Sequence, residues 1–554
     1  MRPLISHFFA LTTGLCISTA AIAHPKHDVY MNQWGFSPEQ SKLAIIDTGA
    51  TQQYSVTALK NNETVLTGQT TGSGEWPAAN KQVSIADISD ITAPGEYRLT
   101  LEDGSTHIFM VRRNVLAEIH DAAVKAYYFG RSAMALDPAY AGKWHREAGH
   151  PDTETFELAR PDAPARNRSK GWYDAGDYNK YVVNSGITTY TLLRAYLDFP
   201  EFYQTRRWNI PESANATPDI LDEIAWNLDW LVTMQADDGG VYHKLTTKNF
   251  SGAVMPHAAT EPRYVTAKST AATLNFAAVM AVAARVYDDK KDAYLSHAKR
   301  ALDWAAHHHD NAYKNEADIA TGEYGDEKLA DEHTWAAVEY ALTTGDKKRL
   351  NTAIGDLSAL STPSWANVTG LSYLSLVSEG KSLLDSARYN KLVQATTDYA
   401  DKQSEVMASN AFAVPISEPD FVWGSNAVMM NKAMLLEKAY ALSQKEAYRQ
   451  GALALVDYIA GRNPTGYSFV TGFGQRSPLF IHHRPSQADN VADPVPGWLA
   501  GGPQNGHQDK CAYPSSMPAT SYIDDWCSYS TNEIAINWNA PLVYVLASLS
   551  AQPE

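Results

Sequence analysis

Two successive hydrophobic patterns predict a multidomain chain, with an all-β sandwich up to about residue 113 and an all-α domain after it. The length of 554 residues exceeds what one small core usually supports. Hydrophobic residues make up 44% and charged residues 19%, as in ordinary globular proteins. Because no Ser- or Pro-rich linker stands near residue 113, the two domains are expected to pack directly on each other.

The first 23 residues have the layout of a secretory signal peptide. Arg2 precedes an apolar stretch over residues 8–20, and a short alanine-containing segment ends at Ala23. That stretch is too short to span a membrane as a helix. We therefore expect cleavage after Ala23, export to the periplasm or beyond, and no membrane attachment afterwards. Lipidation of Cys16, inside the stretch, is the alternative.

The charge balance narrows the range of partners. Acidic residues outnumber basic ones by 62 to 46, which gives a formal net charge of −16 at pH 7. A charge of this sign opposes binding to nucleic acid and to anionic lipid surfaces.

After signal removal two cysteines remain, Cys511 and Cys527, and an exported protein favours a disulfide between them. Two unpaired thiols are the alternative.

The N-terminal domain, residues 24–113, is predicted from short β segments with turn-rich stretches between them, such as 71–74 and 102–105. The predicted strands are 42–46, 54–59, 82–85, 95–101 and 107–111. A sandwich of about 90 residues accounts for this pattern.

The second domain, residues 114–554, has helical periodicity throughout. The predicted helices are 116–135, 182–198, 218–235, 269–287, 291–308, 331–344, 383–406, 424–444, 446–460 and 532–549. Long Gly/Pro/aromatic loops separate them, which suggests helical hairpins wrapped into a ring or a stack. No repeat of fixed period is visible, so a solenoid is not predicted.

Asp174 and Asp177 stand three residues apart, with Ala-Gly between them and aromatic residues on both sides. Two carboxylates so spaced can converge on one water molecule and activate it as a nucleophile. The same residue types also suit a calcium loop or a helix cap, and those alternatives stay open at this point.

Glu533 is predicted to lie in the first turn of an apolar helix, among aromatic residues that would raise its pKa as a general acid requires. An ordinary glutamate at a helix start, favoured by the helix dipole, is the alternative. Between the two acidic motifs, His482 and Arg484 suit hydroxyl recognition. A metal site there is disfavoured because no third or fourth ligand stands at zinc-like spacing.

Four separated motifs resemble glycoside hydrolase family 9, in the subgroup with an N-terminal immunoglobulin-like module. The segments that carry the resemblance are Asp174–Asp177, the histidine segment Ser468–Arg484, the acidic segment Tyr522–Ala540 and the helix segment Asp331–Ala337. The opening Tyr30–Phe36 also resembles the start of the family's immunoglobulin-like domain. Together they span nearly the whole mature chain.

The resemblance implies an (α/α)6 barrel that hydrolyses β-1,4-glucosidic bonds of cellulose or related β-glucans with inversion. It assigns Asp177 as general base, Asp174 as its partner in holding water, and Glu533 as general acid. Inversion requires carboxyl groups about 6.5 to 9.5 Å apart. His482 and Arg484 are implied to contact sugar hydroxyls, and Trp538 to line the cleft.

Further aromatic residues are assigned by position. Trp172, Tyr173 and Trp423 are predicted near the cleft with Trp538, and His243 as a substrate contact in a glycine-terminated loop. Helical spacing favours the core for three other tryptophans, which are Trp226, Trp230 and Trp304.

The expected enzyme is a monomeric endoglucanase that needs no cofactor for catalysis, although structural calcium is possible. An exo-acting cellodextrinase or β-glucosaminidase of the same family is the main alternative. A non-catalytic carbohydrate-binding protein is disfavoured because both the acid and the base are present.

Overall fold

The computed structural model describes residues 27–551. The predicted signal peptide, with Cys16, lies outside the described residues. Within the described part of the chain, no helix is both long and apolar enough to cross a membrane.

Eight strands build the N-terminal domain as two four-stranded antiparallel sheets, ordered β1-β2-β6-β5 and β4-β3-β7-β8. They are β1 Val29–Tyr30, β2 Leu43–Ile46, β3 Gln53–Ala58, β4 Glu63–Gln69, β5 Thr71–Trp76, β6 Lys81–Asp87, β7 Gly95–Leu101 and β8 Thr106–Val111. Apolar side chains from both sheets, such as Ile46 and Leu99, form one core. An all-β domain was therefore predicted correctly.

The predicted turn at 71–74 is wrong, because these residues belong to β5 and pair with β6. The register shifts between Gly72 and Gly74, and Gly74 has a φ of 104°. A bulge of this kind requires the positive φ that glycine adopts readily. Turns favour glycine for the same reason, so the sequence pattern resembled a turn.

Twelve long helices among the described residues form the second domain. They are α1 Val115–Gly130, α2 Val182–Asp198, α3 Asp219–Thr233, α4 Thr270–Ala283, α5 Lys291–His307, α6 Ala330–Thr344, α7 Lys347–Gly355, α8 Thr369–Glu379, α9 Ser386–Ser409, α10 Ser425–Ser443, α11 Glu446–Ile459 and α12 Ile536–Ser550. Helices α7 and α8 were not predicted. The serines and the glycine of α8 mask its helical pattern, although the segment is buried from Thr369 to Val377.

The helices pack in two layers. Each even-numbered helix contacts the next one, from α2 through α4, α6, α8 and α10 to α12, and α12 returns to α2. The odd-numbered helices pack outside: α1 on α12, α3 on α2, α5 on α4, α7 on α6, α9 on α8 and α11 on α10. Helix α4 is buried at every position, whereas α5 buries one stripe at helical spacing.

The two domains share a packed interface. Trp76 contacts Phe412 with ring centroids 4.9 Å apart. Asn32 Nδ2 donates to Asp457 at 2.8 Å, and Trp34 Nε1 donates to the hydroxyl of Ser468 at 2.8 Å. Ser468 begins the segment that ends with His482 and Arg484, so the β domain supports that segment directly.

A small third sheet lies at one end of the helices. Its strands are β9 Thr155–Glu157, β10 Lys180–Tyr181, β11 Lys244–Thr246 and β12 Arg263–Val265, in the order β10-β11-β12-β9. Strand β10 follows the Asp174–Asp177 motif directly and leads into α2. The sheet thereby fixes the start of an inner helix and the loop in front of it.

Two of the three tryptophans predicted in the core, Trp230 and Trp304, are buried, and Trp226 packs partly buried against the same core. This prediction is confirmed. The two remaining cysteines, Cys511 and Cys527, are joined by a disulfide that closes a loop beside the acidic motif.

Candidate active site

A cavity of about 830 Å³ brings the N-terminal and C-terminal acidic motifs together. Six predicted site residues line it: Asp177, Trp423, His482, Arg484, Glu533 and Trp538. Residues 175 and 533 are far apart in the chain but meet here, because α2 and α12 are neighbours in the inner layer. Four other predicted site residues, Asp174, Trp172, Tyr173 and His243, are not part of the lining.

Asp177 presents a buried carboxylate that is held by hydrogen-bond donors. Its Oδ2 accepts from Asn179 Nδ2 at 2.5 Å and from the Tyr181 hydroxyl at 3.1 Å. Asn179 Oδ1 accepts in turn from Thr246 Oγ1 at 3.0 Å, so the small sheet fixes the amide. These contacts use Oδ2 and fix the orientation of the carboxylate toward the cavity.

Asp174 lies behind the lining and is 1% exposed. Its carboxyl oxygens accept from Asn184 Nδ2, and Oδ2 also accepts from the Tyr324 hydroxyl at 3.1 Å. Burial, and then the neighbouring Asp177, raise the pKa of Asp174 well above the ordinary value for an aspartate. Two adjacent buried carboxyls do not easily carry two negative charges, so this pair favours a single one.

Glu533 is not in a helix, contrary to the prediction. It forms a parallel bridge with His482 and precedes the start of α12 at Ile536. The hydrogen bond from Ile536 N to the Asp174 carbonyl, at 2.8 Å, ties the helix start to the base motif. Pairing with another chain segment, rather than helical periodicity, fixes Glu533, and a local pattern does not reveal such a contact.

The surroundings of Glu533 favour its protonated form. Burial raises the pKa of Glu533 well above the usual range, and the charge of Asp177 raises it further, while Arg484 opposes the rise. Its Oε1 accepts one long hydrogen bond, from Gly176 N at 3.3 Å. A buried carboxyl with few donors and an acidic neighbour is suited to donate a proton near neutral pH.

His482 and Arg484 belong to a segment that packs directly against the base motif at Gly176. His482 Nδ1 lies 2.7 Å from the Trp526 carbonyl and therefore carries the proton. This leaves Nε2 as an acceptor, and burial lowers the pKa of the ring. Arg484 Nη1 donates to the Gly176 carbonyl at 2.8 Å, and Nε donates to the Ser251 carbonyl at 2.8 Å.

Gly176 is required by close packing between the two motifs. A Cβ at this position would lie 2.0 Å from the His482 carbonyl oxygen and 3.1 Å from Glu533 Oε1. The Ala-Gly between the aspartates thus allows the base motif to contact the acid motif.

The predictions that Trp172 and Tyr173 contact substrate are corrected by the structure. Trp172 is 1% exposed, and its indole Nε1 donates to Glu223 Oε1 at 2.7 Å. The Tyr173 hydroxyl lies 2.8 Å from His150 Nδ1 and the side chain is buried. Both side chains are buried and hydrogen-bond to residues outside the cavity lining. They therefore support the base motif from behind the lining.

His243 is also buried and makes no contact with the cavity. Its Nδ1 lies 2.8 Å from Ser269 Oγ, its Nε2 lies 2.9 Å from the Glu323 carbonyl, and its ring stacks on Tyr313. The predicted substrate contact is thus replaced by a structural role, since Glu323 belongs to the lining and His243 holds its backbone.

Five aromatic lining residues were not predicted as part of the site, and they are Tyr181, Phe250, Tyr324, Trp365 and Tyr529. Tyr324 has a φ of 49°, a left-handed conformation that is uncommon outside glycine and often marks functional sites. Its ring contacts both Tyr181 and Trp365 edge-on. The sequence signal was weak, because all of them except Tyr181, which ends β10, lie in loops outside the helices and strands.

The structure offers no evident metal centre in its described part. Within residues 27–551, no group of three or more His, Cys, Asp or Glu residues is placed to hold a metal ion. Structural calcium therefore stays a prediction without a ligand set.

Comparison with known proteins agrees with the two-domain division. The family model for glycosyl hydrolase family 9 matches residues 117–546, and the cellulase N-terminal Ig-like domain matches residues 24–106. A xyloglucan-specific endo-beta-1,4-glucanase of Bacteroides ovatus is 40% identical over 98% of this chain and 97% of its own length. Endoglucanase D of Acetivibrio thermocellus is 31% identical over 95% of this chain and 81% of its own length.

A solved structure of a Bacteroides ovatus GH9 protein has the same fold, with a TM-score of 0.88 and 39% identity over 94% of this chain and 98% of that one. Three of the four motifs that suggested the family contribute residues to one cavity, and the family model covers most of the chain. The chain therefore belongs to glycosyl hydrolase family 9 and carries an N-terminal immunoglobulin-like domain, as its motifs predicted.

Proposed function

We propose that the protein is an inverting endo-β-1,4-glucanase, with Asp177 as general base and Glu533 as general acid. The observation that carries the proposal is that both carboxyl groups line one cavity while their surroundings differ. Aromatic rings in the same lining, such as Trp365, Trp423 and Trp538, offer flat faces for sugar rings.

In the proposed reaction Glu533 protonates the glycosidic oxygen as the bond to the anomeric carbon breaks. Asp177 removes a proton from the water that attacks the same carbon from the opposite face, which inverts its configuration. Asp174 positions that water together with Asp177, and its contact with Tyr324 fixes one wall of the cavity. No cofactor enters these steps.

The proposal includes the ring architecture. The two-layer packing, in which α12 closes on α2 and each inner helix has an outer neighbour, supports an (α/α)6 barrel. In such a ring, loops from several hairpins converge at one end. This explains how residues from 175 to 538 share one cavity.

The proposed substrates are β-1,4-glucans. The relative from Bacteroides ovatus, similar over nearly the whole chain, is specific for xyloglucan, so xyloglucan is a proposed substrate beside unbranched glucans. Exo action stays the alternative within the family. Export, a monomeric state and structural calcium also stay predictions.

The test uses mature protein, with Asp177→Asn and Glu533→Gln as matched variants, on xyloglucan, soluble cellulose derivatives and cello-oligosaccharides. A fast fall in viscosity with few reducing ends supports endo action, whereas release of terminal units without that fall supports exo action. Proton NMR of freshly formed products tests inversion, which predicts the α-anomer at the new reducing end. Activity that survives in both variants would contradict the assignment of acid and base.

A further inference from the structure

The most exposed large apolar side chain among the described residues stands beside the site. Phe480 is 59% exposed, and its neighbour Leu479 is 48% exposed. Neither residue lines the cavity. Contiguous exposed apolar residues on a folded surface mark interaction sites more often than single exposed residues do.

The backbone of this apolar pair is held rigidly. The Asp524 carboxylate accepts from Leu479 N at 2.8 Å and from Phe480 N at 2.9 Å. Asn532 Nδ2 donates to the Phe480 carbonyl at 3.0 Å and to Asp524 Oδ1 at 2.9 Å. These four hydrogen bonds clamp the backbone of the pair in a fixed position.

The clamp joins Phe480 to the catalytic loop. Asn532 directly precedes Glu533, and its carbonyl accepts from His482 N at 2.9 Å. Ile481, between Phe480 and His482, is 1% exposed. Burial therefore alternates over the three residues from Phe480 to His482, which places the side chains of Phe480 and His482 on the side opposite Ile481.

Aromatic rings continue from the cavity toward this segment. Trp423 contacts Tyr529, Tyr529 contacts His482, and His482 stacks on Trp526 with centroids 4.3 Å apart. The disulfide at Cys527 anchors the segment that carries Trp526. The apolar surface therefore extends past the cavity that holds the acid and the base.

We propose that Phe480, supported by Leu479, is a binding shelf for one glucosyl unit of the same β-glucan chain that occupies the cavity. The apolar face of a pyranose ring, formed by C–H groups, would lie on the Phe480 ring. The shelf gives preference for longer chains. This inference rests on the proposed function and adds a contact outside the cavity.

The test measures binding rather than turnover, in the inactive Glu533→Gln protein, by calorimetry with cello-oligosaccharides of four and six units. We expect Phe480→Ala to raise the Kd of the six-unit ligand about tenfold, because it removes the apolar contact of one sugar ring. The Kd of the four-unit ligand should change little, and Phe480→Trp should restore the tighter binding. Phe156→Ala is the matched control, since Phe156 is also exposed but belongs to β9, where its ring contacts Tyr264.

Equal Kd values for Phe480→Ala and its parent with both ligands would overturn the shelf. An equal loss for both ligands would also overturn it, since that would mean a disturbed cavity rather than an added contact. If the parent binds neither cello-oligosaccharide, the proposed function fails for unbranched glucans and the shelf fails with it. Binding by the parent that Phe480→Ala leaves unchanged rejects the shelf alone.

Discussion

Asp177 and Glu533 line the same cavity but differ in what surrounds them. Asp177 accepts hydrogen bonds from Asn179 and Tyr181, which suit an ionised carboxylate. Glu533 accepts one long hydrogen bond from Gly176 N, and burial together with Asp177 raises its pKa. The comparison teaches that hydrogen-bond donors and burial, rather than residue type, divide the roles of base and acid.

The largest expected effect comes from removing either carboxyl. Asp177→Asn and Glu533→Gln should each lower kcat on unactivated glucan by about 10²- to 10⁴-fold, which is the range for general acid or base catalysis. Steady-state rates with a reducing-end assay measure the loss. Unchanged Tm values in both variants would show that the loss is chemical rather than structural.

The next effect tests the contact between the two motifs. Gly176→Ala should cost about 1–3 kcal/mol in free energy of unfolding and reduce activity strongly, because the added Cβ would lie 2.0 Å from the His482 carbonyl oxygen. Urea unfolding and kcat together measure it. Gly252→Ala is the control, since a Cβ there meets nothing within 4 Å. A variant at Gly176 with normal kcat would show that this close approach is dispensable.

A smaller effect concerns the pH profile. A general acid works only while protonated, so activity should fall as pH rises through the raised pKa of Glu533. Arg484 opposes that rise, and Arg484→Gln removes its positive charge. The alkaline limb of kcat/KM should therefore move to higher pH, by up to about one unit. A limb that stays in place or moves to lower pH would contradict the electrostatic coupling.

The smallest effect on function is expected at Glu437, a buried carboxyl outside the cavity lining. Burial raises the pKa of Glu437 to about 7, from 4.5. Ionisation of Glu437 therefore lowers the free energy of unfolding as the pH rises from about 4.5 to 7. Above pH 7 the group is ionised in both states, so its contribution no longer changes with pH. Glu437→Gln should increase the free energy of unfolding at pH 8 by about 1–3 kcal/mol, with little change at pH 4.

Denaturant unfolding at the two pH values measures this difference, and activity at pH 6 should stay unchanged. A loss of activity would show that a buried carboxyl outside the cavity lining also contributes to catalysis. The comparison between Asp177 and Glu533 would then lose its specific meaning.

The sequence predicted the acidic motifs and most of the helices because these depend on local patterns. Asp177 and Glu533 were found through motif spacing, and α2, α5 and α6 through periodicity. The positions of other site residues depend on tertiary contacts that local patterns do not contain. Glu533 is fixed by its bridge with His482 rather than by a helix, and Trp172 turned toward Glu223 rather than toward the cavity.

The lining residues in loops were the hardest to predict. Tyr324 and Trp365 stand in segments without periodicity, and their position depends on how the hairpins of the ring meet. Helix α8 escaped prediction for a related reason. Its small and polar residues are buried only because neighbouring helices cover them, so its pattern alone resembles a loop.

The division of roles between Asp177 and Glu533 is tested most directly by the leaving group. The measurement is kcat/KM of both variants on a cello-oligosaccharide and on an aryl cellobioside with an acidic phenol, which leaves without protonation. The account predicts that Glu533→Gln regains much of its activity on the aryl substrate while Asp177→Asn stays inactive on both. Rescue of Asp177→Asn instead, or of neither variant, would contradict it.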